Sequence, residues 1–187
     1  MRTATFACLA SATLALAACN KGPEVDLTNA TPAEVAKAMK DSGASRAMVS
    51  PGKWSSTVSI IEMDTSQLPP EMADKIKAEI GKPRTVEACL TAEEVDHPER
   101  MLGQVPASCR YDHYRMSGGK IDGKMRCSEP GGAQEMTVQG SYGKDQYSLV
   151  IGNKSSPVAG APMLAGANSK MKVESHRLGD CDAAKAG

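Results

Sequence analysis

Residues 120–127, KIDGKMRC, alternate without exception: Ile121, Gly123, Met125 and Cys127 fall on one side, and Lys120, Asp122, Lys124 and Arg126 on the other. A period of two belongs to a β-strand with one face on a core and one in water. The pattern recurs in EMTVQGSY, residues 135–142, which places Met136, Val138, Gly140 and Tyr142 inside. It recurs again in KMKVESHR, residues 170–177, through Met171 and Val173. CRYDHYRM (109–116), QYSLVIG (146–152) and KWSSTVSIIEM (53–63) are adjoining strand candidates. Ser117-Gly118-Gly119, Pro130-Gly131-Gly132 and Gly143-Lys144-Asp145 supply short turn chemistry between them. Sequential strands joined by short turns predict an antiparallel meander. The expected fold is therefore mainly β over residues 49–187, a curved sheet or partial barrel with two or three short peripheral α-helices. KSSPVAGAPMLAGANS, residues 154–169, is rich in Gly, Ala, Ser and Pro and reads as a mobile loop between the last two strands.

Helical signals lie mostly before the strands. Thr31 is suited to an N-cap, Pro32 to the first helical position, Glu34 completes a T-x-x-E capping box, and Gly43 suits the C-terminal cap. These predict an N-terminal helical segment within residues 32–48, with Val35 and Met39 on its apolar side. PPEMADKIKAEIG, residues 69–81, places Met72, Ile76 and Ile80 on one stripe before Gly81 and Pro83. A further capping box, Thr91 to Glu94, opens a brief turn that Pro98 ends.

The start of the chain differs from the rest. Met1 and Arg2 precede an uncharged run of Ala, Leu, Thr and Ser, so residues 1–18 have the layout of a secretory signal. The run is too weakly apolar for a transmembrane helix. Without Arg2, the 22 basic residues become one fewer against 22 acidic ones. That balance carries no footprint for nucleic acid or for an anionic lipid surface. Leu16-Ala17-Ala18-Cys19 resembles the lipobox of bacterial lipoproteins, which implies lipidation of Cys19. A plain cut after Ala15-Leu16-Ala17 is the alternative and leaves Cys19 a free thiol. The cysteine count favours lipid. Of Cys8, Cys19, Cys89, Cys109, Cys127 and Cys181, the first leaves with the signal; consuming Cys19 leaves four, an even set for two disulfides. Residues 19–31 then form the lipidated cysteine and a flexible, polar tether of about 40 Å at full extension.

Those disulfides matter to the core. Only Trp54, Tyr111, Tyr114, Tyr142 and Tyr147 are aromatic beyond the signal, so Met, Val, Ile, Leu and Ala must fill the interior, and Met specifies packing weakly. Four cysteines allow three connectivities. The expected one is sequential, Cys89 with Cys109 and Cys127 with Cys181, the latter pair ending two strand candidates. Zinc is the rival, but spacings of 20, 18 and 54 without a C-x-x-C match no finger or ribbon.

Motifs for chemistry are sparse. No nucleophile elbow, phosphate loop, H-E-x-x-H or dinucleotide fingerprint occurs. Ser50-Pro51-Gly52-Lys53 spells S-x-x-K, yet Pro51 and Gly52 argue for a turn rather than the helix that motif needs. His97, His113 and His176 show no ligand spacing. Met116, Met125, Met136 and Met171 raise a copper(I) site, but they occupy the apolar phase of the strands, where core filling is the simpler role. Glu93 and Glu94 sit in a capping context. No cofactor is expected.

Pro51-Gly52-Lys53-Trp54, VEACLT (86–91), Cys109, GGKIDGKMRC (118–127), QGSYGKDQYSLVI (139–151) and SHRLGDC (175–181) together resemble a group of small exported proteins of Gram-negative bacteria, catalogued only as a domain of unknown function. The similarity spans residues 49–181. It implies periplasmic residence, a sheet-rich domain and a four-cysteine pattern; it supplies no activity. The expectation is a non-enzymatic envelope protein, anchored to a membrane through lipid, that binds a protein partner or a small apolar ligand. The alternatives are periplasmic handling of copper or zinc through Met and His and, third, a hydrolase. Asn20 is not the aspartate that favours retention at the inner membrane in lipoproteins of the kind this start resembles, which tilts the expected address toward the outer membrane.

Overall fold

Alternation at residues 120–127 becomes strand β5 (Lys120–Glu129), in which Ile121, Gly123, Met125 and Cys127 are all buried. The computed structural model describes residues 22–66, 68–102, 104–129, 132–156 and 168–181. The signal segment, Cys19, and residues 157–167 of the expected loop lie outside them.

In chain order the elements are β1 (Val25–Ala30), α1 (Pro32–Ser42), α2 (Ala44–Met48), β2 (Gly52–Met63), α3 (Pro70–Ile80), β3 (Arg84–Leu90), α4 (Ala92–Asp96), α5 (Glu99–Leu102), β4 (Cys109–Ser117), β5, β6 (Gly132–Gly143), β7 (Gln146–Ser155) and β8 (Ser169–Gly179). The strands make one antiparallel sheet in the order β1-β4-β5-β6-β7-β8-β2-β3. Mainly β and meandering from β4 to β8, it matches the expected class; it is not closed into a barrel. Five short helices, rather than two or three, accompany it among the described residues.

Two of the hairpins follow from local chemistry. Ser117 faces Lys120 across Gly118 and Gly119, whose φ values of 56° and 74° only glycine adopts freely. Gly143 faces Gln146 across another two-residue turn. At Gly140 an added Cβ would lie 2.0 Å from the Ser148 carbonyl oxygen, so β6 and β7 pack there at a distance only glycine permits.

Two expectations at the N-terminal side are corrected. Residues 25–30, read as part of a flexible tether, form β1, which pairs with β4 from Val25 opposite Met116 to Ala30 opposite Tyr111. Their polarity misleads because β1 is an edge strand and needs few apolar residues; Val25 and Ala30 are buried, Asp26, Thr28 and Asn29 exposed. The single segment within 32–48 is two helices, because Gly43 at φ 72° ends α1 before α2 begins. The capping boxes at Thr31–Glu34 and Thr91–Glu94 both form. In α3 the stripe does not bury as read: Ala73 is covered, while Met72 stays 45% exposed.

The disulfides also differ from the sequential pairing. They join Cys89 to Cys181 and Cys109 to Cys127. The reason is strand order. Cys109 and Cys127 stand directly opposite on the β4–β5 hairpin. Cys89 on β3 faces Lys53 on β2, which faces Gly179 at the end of β8, so the outer bridge spans the end of β2.

The main core lies between one face of the sheet and α1. Val35 and Met39, one turn apart on α1, pack with Cys109, Tyr111, Tyr114, Met116, Ile121, Met125 and Cys127. Tyr111 and Tyr114 meet edge to face with centroids 5.3 Å apart. Both point inward although they are three positions apart, because a bulge between Tyr111 and His113 shifts the phase of β4.

Candidate functional site

The covered face continues beyond the core into a cavity of about 530 Å³, within the roughly 300–1,000 Å³ of small-molecule sites. Its floor is sheet: Trp54 and Ser56 from β2, Ala88 and Leu90 from β3, Tyr114 from β4, Tyr147, Leu149 and Ile151 from β7, and Val173 from β8. Its roof is helical: Met39 from α1, Ser45 and Met48 from α2, Glu94 and Val95 from α4, with Pro98 and Leu102 beyond. Inward phases of β7, β8 and β2 converge because the register aligns Leu149 with Val173 and Val173 with Val58.

The roof is held by contacts at its rim. Arg46 of α2 donates from Nε and Nη2 to the Asp96 carboxylate that ends α4, at 2.6 and 2.7 Å. This bidentate fork lowers the pKa of Asp96, chiefly through the hydrogen bond from Arg46. Lys40 lies 3.6 Å from Glu99, and Arg100 2.7 Å from Glu93. At the other end Ser50 N donates to Lys144 O, tying the entry into β2 to the β6–β7 turn.

Several polar groups inside are partnered. The Trp54 indole N–H donates to Ser50 O at 2.9 Å, and its ring lies 5.7 Å from that of Tyr147. Ser56 and Ser175 share a hydroxyl hydrogen bond of 2.7 Å across β2 and β8. Tyr114 O–H, 5% exposed as a residue, points at the sulfurs of Met39 and Met116 at 3.3 and 3.1 Å. Burial pushes the Tyr114 phenol well above its ordinary pKa, so it stays protonated. Among the described residues Glu94 is the one charged lining residue. Its Oε2 accepts from Thr91 N–H and Thr91 O–H at 2.7 and 2.8 Å, and these bonds hold its pKa below the ordinary glutamate value. The arrangement is suited to enclosing an apolar body.

Sequence reasoning singled out other residues, and the structure separates them. His97 pairs with Glu99 through Nδ1 at 2.6 Å, and His113 with Asp122 through Nε2 at 2.5 Å. Asp122 also accepts from Gln139, the larger of the causes that lower its pKa. His176 sits exposed on the outer side of β8. Ser50 and Lys53 fall on a loop and on β2 rather than on one helix face. Met125 faces Met136, and Met116 lies in the same core, while Met171 is on β8 opposite Ile151. No group of three His, Cys, Asp or Glu stands at metal-holding distance among the described residues. Two further concavities, of about 500 and 470 Å³, are edged by ion pairs such as Lys170–Glu62 and Arg46–Asp96.

The cavity itself was not foreseen residue by residue. Its one sequence signal is the inward phase of β7 and β8, which continues past the positions that helices cover. No helix among the described residues is long and apolar enough to cross a membrane. A family model described as "Protein of unknown function (DUF3617)" matches residues 49–181. No curated protein and no solved structure matches the chain.

Proposed function

The chain belongs to the DUF3617 family, and from that premise we propose that it is a non-enzymatic binding module of the bacterial envelope that holds a small apolar ligand between sheet and helices. The observation that carries this reading is the 530 Å³ cavity, whose lining is apolar apart from hydroxyls, the Trp54 indole N–H and the Glu94 carboxylate at its rim. Export is supported by the signal layout of residues 1–18 and by two disulfides, which persist in oxidising compartments. Anchoring is supported by the lipobox-like Leu16-Ala17-Ala18-Cys19. A Cys19 lipid would attach the body to a membrane, the outer one by the Asn20 argument, with the cavity facing the periplasm.

Trp54 is the only tryptophan and lines the cavity, so its fluorescence reports occupancy. An uncharged naphthylamine probe should bind and shift Trp54 emission, and native mass spectrometry of protein from its own envelope should find a lipid-like mass that leaves on delipidation. Probe binding without any change at Trp54, together with ligand-free native mass, would remove the reading. A copper or zinc mass in its place would favour metal handling. Radiolabelled palmitate should enter the wild-type chain and be absent from Cys19→Ser.

A further inference from the structure

Given apolar occupancy of the cavity, the residues at its mouth constrain the other end of the ligand. Among the described residues that line the cavity none is Lys, Arg or His. Glu94 is there, exposed at the rim, with Oε2 committed to Thr91. Those two bonds favour its ionised form and hold it at the start of α4, and a carboxylate has acceptor capacity beyond them. Cations on the neighbouring elements are engaged elsewhere: Arg46 with Asp96, Lys40 with Glu99, Arg100 with Glu93, and Arg177, opposite Trp54 in register, with Pro51 O and Asp180. A carboxylate brought to this mouth would shed water, find no cation and meet a fixed negative charge. A hydroxyl would find an acceptor.

We propose that the cavity takes a single-chain amphiphile whose polar end is uncharged and donates a hydrogen bond, such as a monoacylglycerol, and rejects the fatty-acid anion of the same chain, with Glu94 as the discriminating residue. This rests on the apolar-ligand reading above. The inner donors are consistent with it. The Trp54 N–H and the Ser56 hydroxyl have partners, Tyr114 O–H is spent on thioethers, and the other lining hydroxyls, Ser45 and Tyr147, carry no charge to offset a carboxylate.

The test is displacement of the bound naphthylamine probe by monolauroylglycerol and by laurate at pH 8, on wild type and on Glu94→Gln. Glutamine serves at the same position of a capping box, so the variant removes the charge and keeps the turn. In wild type the neutral amphiphile should displace the probe at a concentration at least tenfold lower than laurate does. Glu94→Gln should narrow that gap about fivefold, the effect of one like charge roughly 4 Å away in a water-like dielectric. The narrowing should come from tighter laurate, with the neutral competitor unchanged within twofold. Laurate equal to the neutral competitor in wild type, an unchanged gap in Glu94→Gln, or loss of the neutral competitor in Glu94→Gln would each overturn the proposal. Failure of the probe and of both amphiphiles to bind wild type would instead remove the apolar-ligand reading beneath it.

Discussion

Gly140→Ala is the substitution whose cost the structure specifies best. The new Cβ would fall 2.0 Å from the Ser148 carbonyl oxygen, and 3.0 Å from both Cα and Cδ2 of Leu149. Backbone cannot rotate away as a side-chain end can, so β6 and β7 must part by about an ångström at this point. Overpacking of this kind costs roughly 1–3 kcal/mol. Stretching one or two ladder hydrogen bonds adds about 1 kcal/mol each. A stiffer unfolded chain returns at most about 1 kcal/mol. The expected net loss is about 3 kcal/mol. Gly118→Ala is the control, because nothing lies within 4 Å of its added methyl and only the φ of 56° opposes it; about 1 kcal/mol is expected. Urea unfolding with the disulfides intact, followed by Trp54 fluorescence, measures both. Gly140→Ala should also weaken probe binding, since Leu149 lines the cavity and is pushed toward it. A loss below 1 kcal/mol at Gly140, or an equal loss at Gly118, would refute the close approach of β6 and β7.

Other outcomes follow from the same geometry. A non-reducing digest should yield linked peptides for Cys89–Cys181 and Cys109–Cys127 and none for the sequential pairs. Their separations of 92 and 18 residues predict losses of about 4.6 and about 3.2 kcal/mol on removal of each pair, in the chain-entropy estimate. Thr31→Ala and Thr91→Ala should each cost about 1 kcal/mol by removing a cap. Glu34 and Glu94 have folded-state pKa values lowered, first by a hydrogen bond from the backbone of their capping threonine. Their contribution is therefore full above the unfolded glutamate pKa of about 4.3 and is lost as the pH falls through the lower folded values. Stability should decline on acidification below that point, and less steeply in a Glu34→Gln, Glu94→Gln double variant, read as urea midpoint against pH.

What could be read in the sequence was what neighbouring residues decide. β5 was legible because its alternation is unbroken, and the two capping boxes because three residues suffice to make one. β4 carries the same inward aromatic face, but the bulge at Asp112 shifts its phase, so period two fails across Tyr111 and Tyr114. β1 was hidden by its own polarity, an edge strand inside a segment that composition marks as linker. The Cys89–Cys181 bridge was miscast because it depends on β2 lying between β8 and β3, a matter of which distant strands meet, whereas Cys109–Cys127 follows from the β4–β5 hairpin alone. The cavity was invisible for the same reason: Trp54, Glu94, Leu149 and Val173 become neighbours only once that order exists.

The pairing of β2 with β8 also sets a clock. Ser56 and Ser175, joined across these strands, are 119 residues apart. At synthesis rates of roughly 5–20 residues per second the second emerges about 6 to 24 s after the first. Until then Trp54, Ser56 and Val58 can have β3 beside them on one side but only empty space where β8 will lie. The wall of the cavity is thus the last part of the sheet to be built, from the earliest long strand and the latest. Whatever guards the nascent chain must shield that hairpin until its final strand arrives.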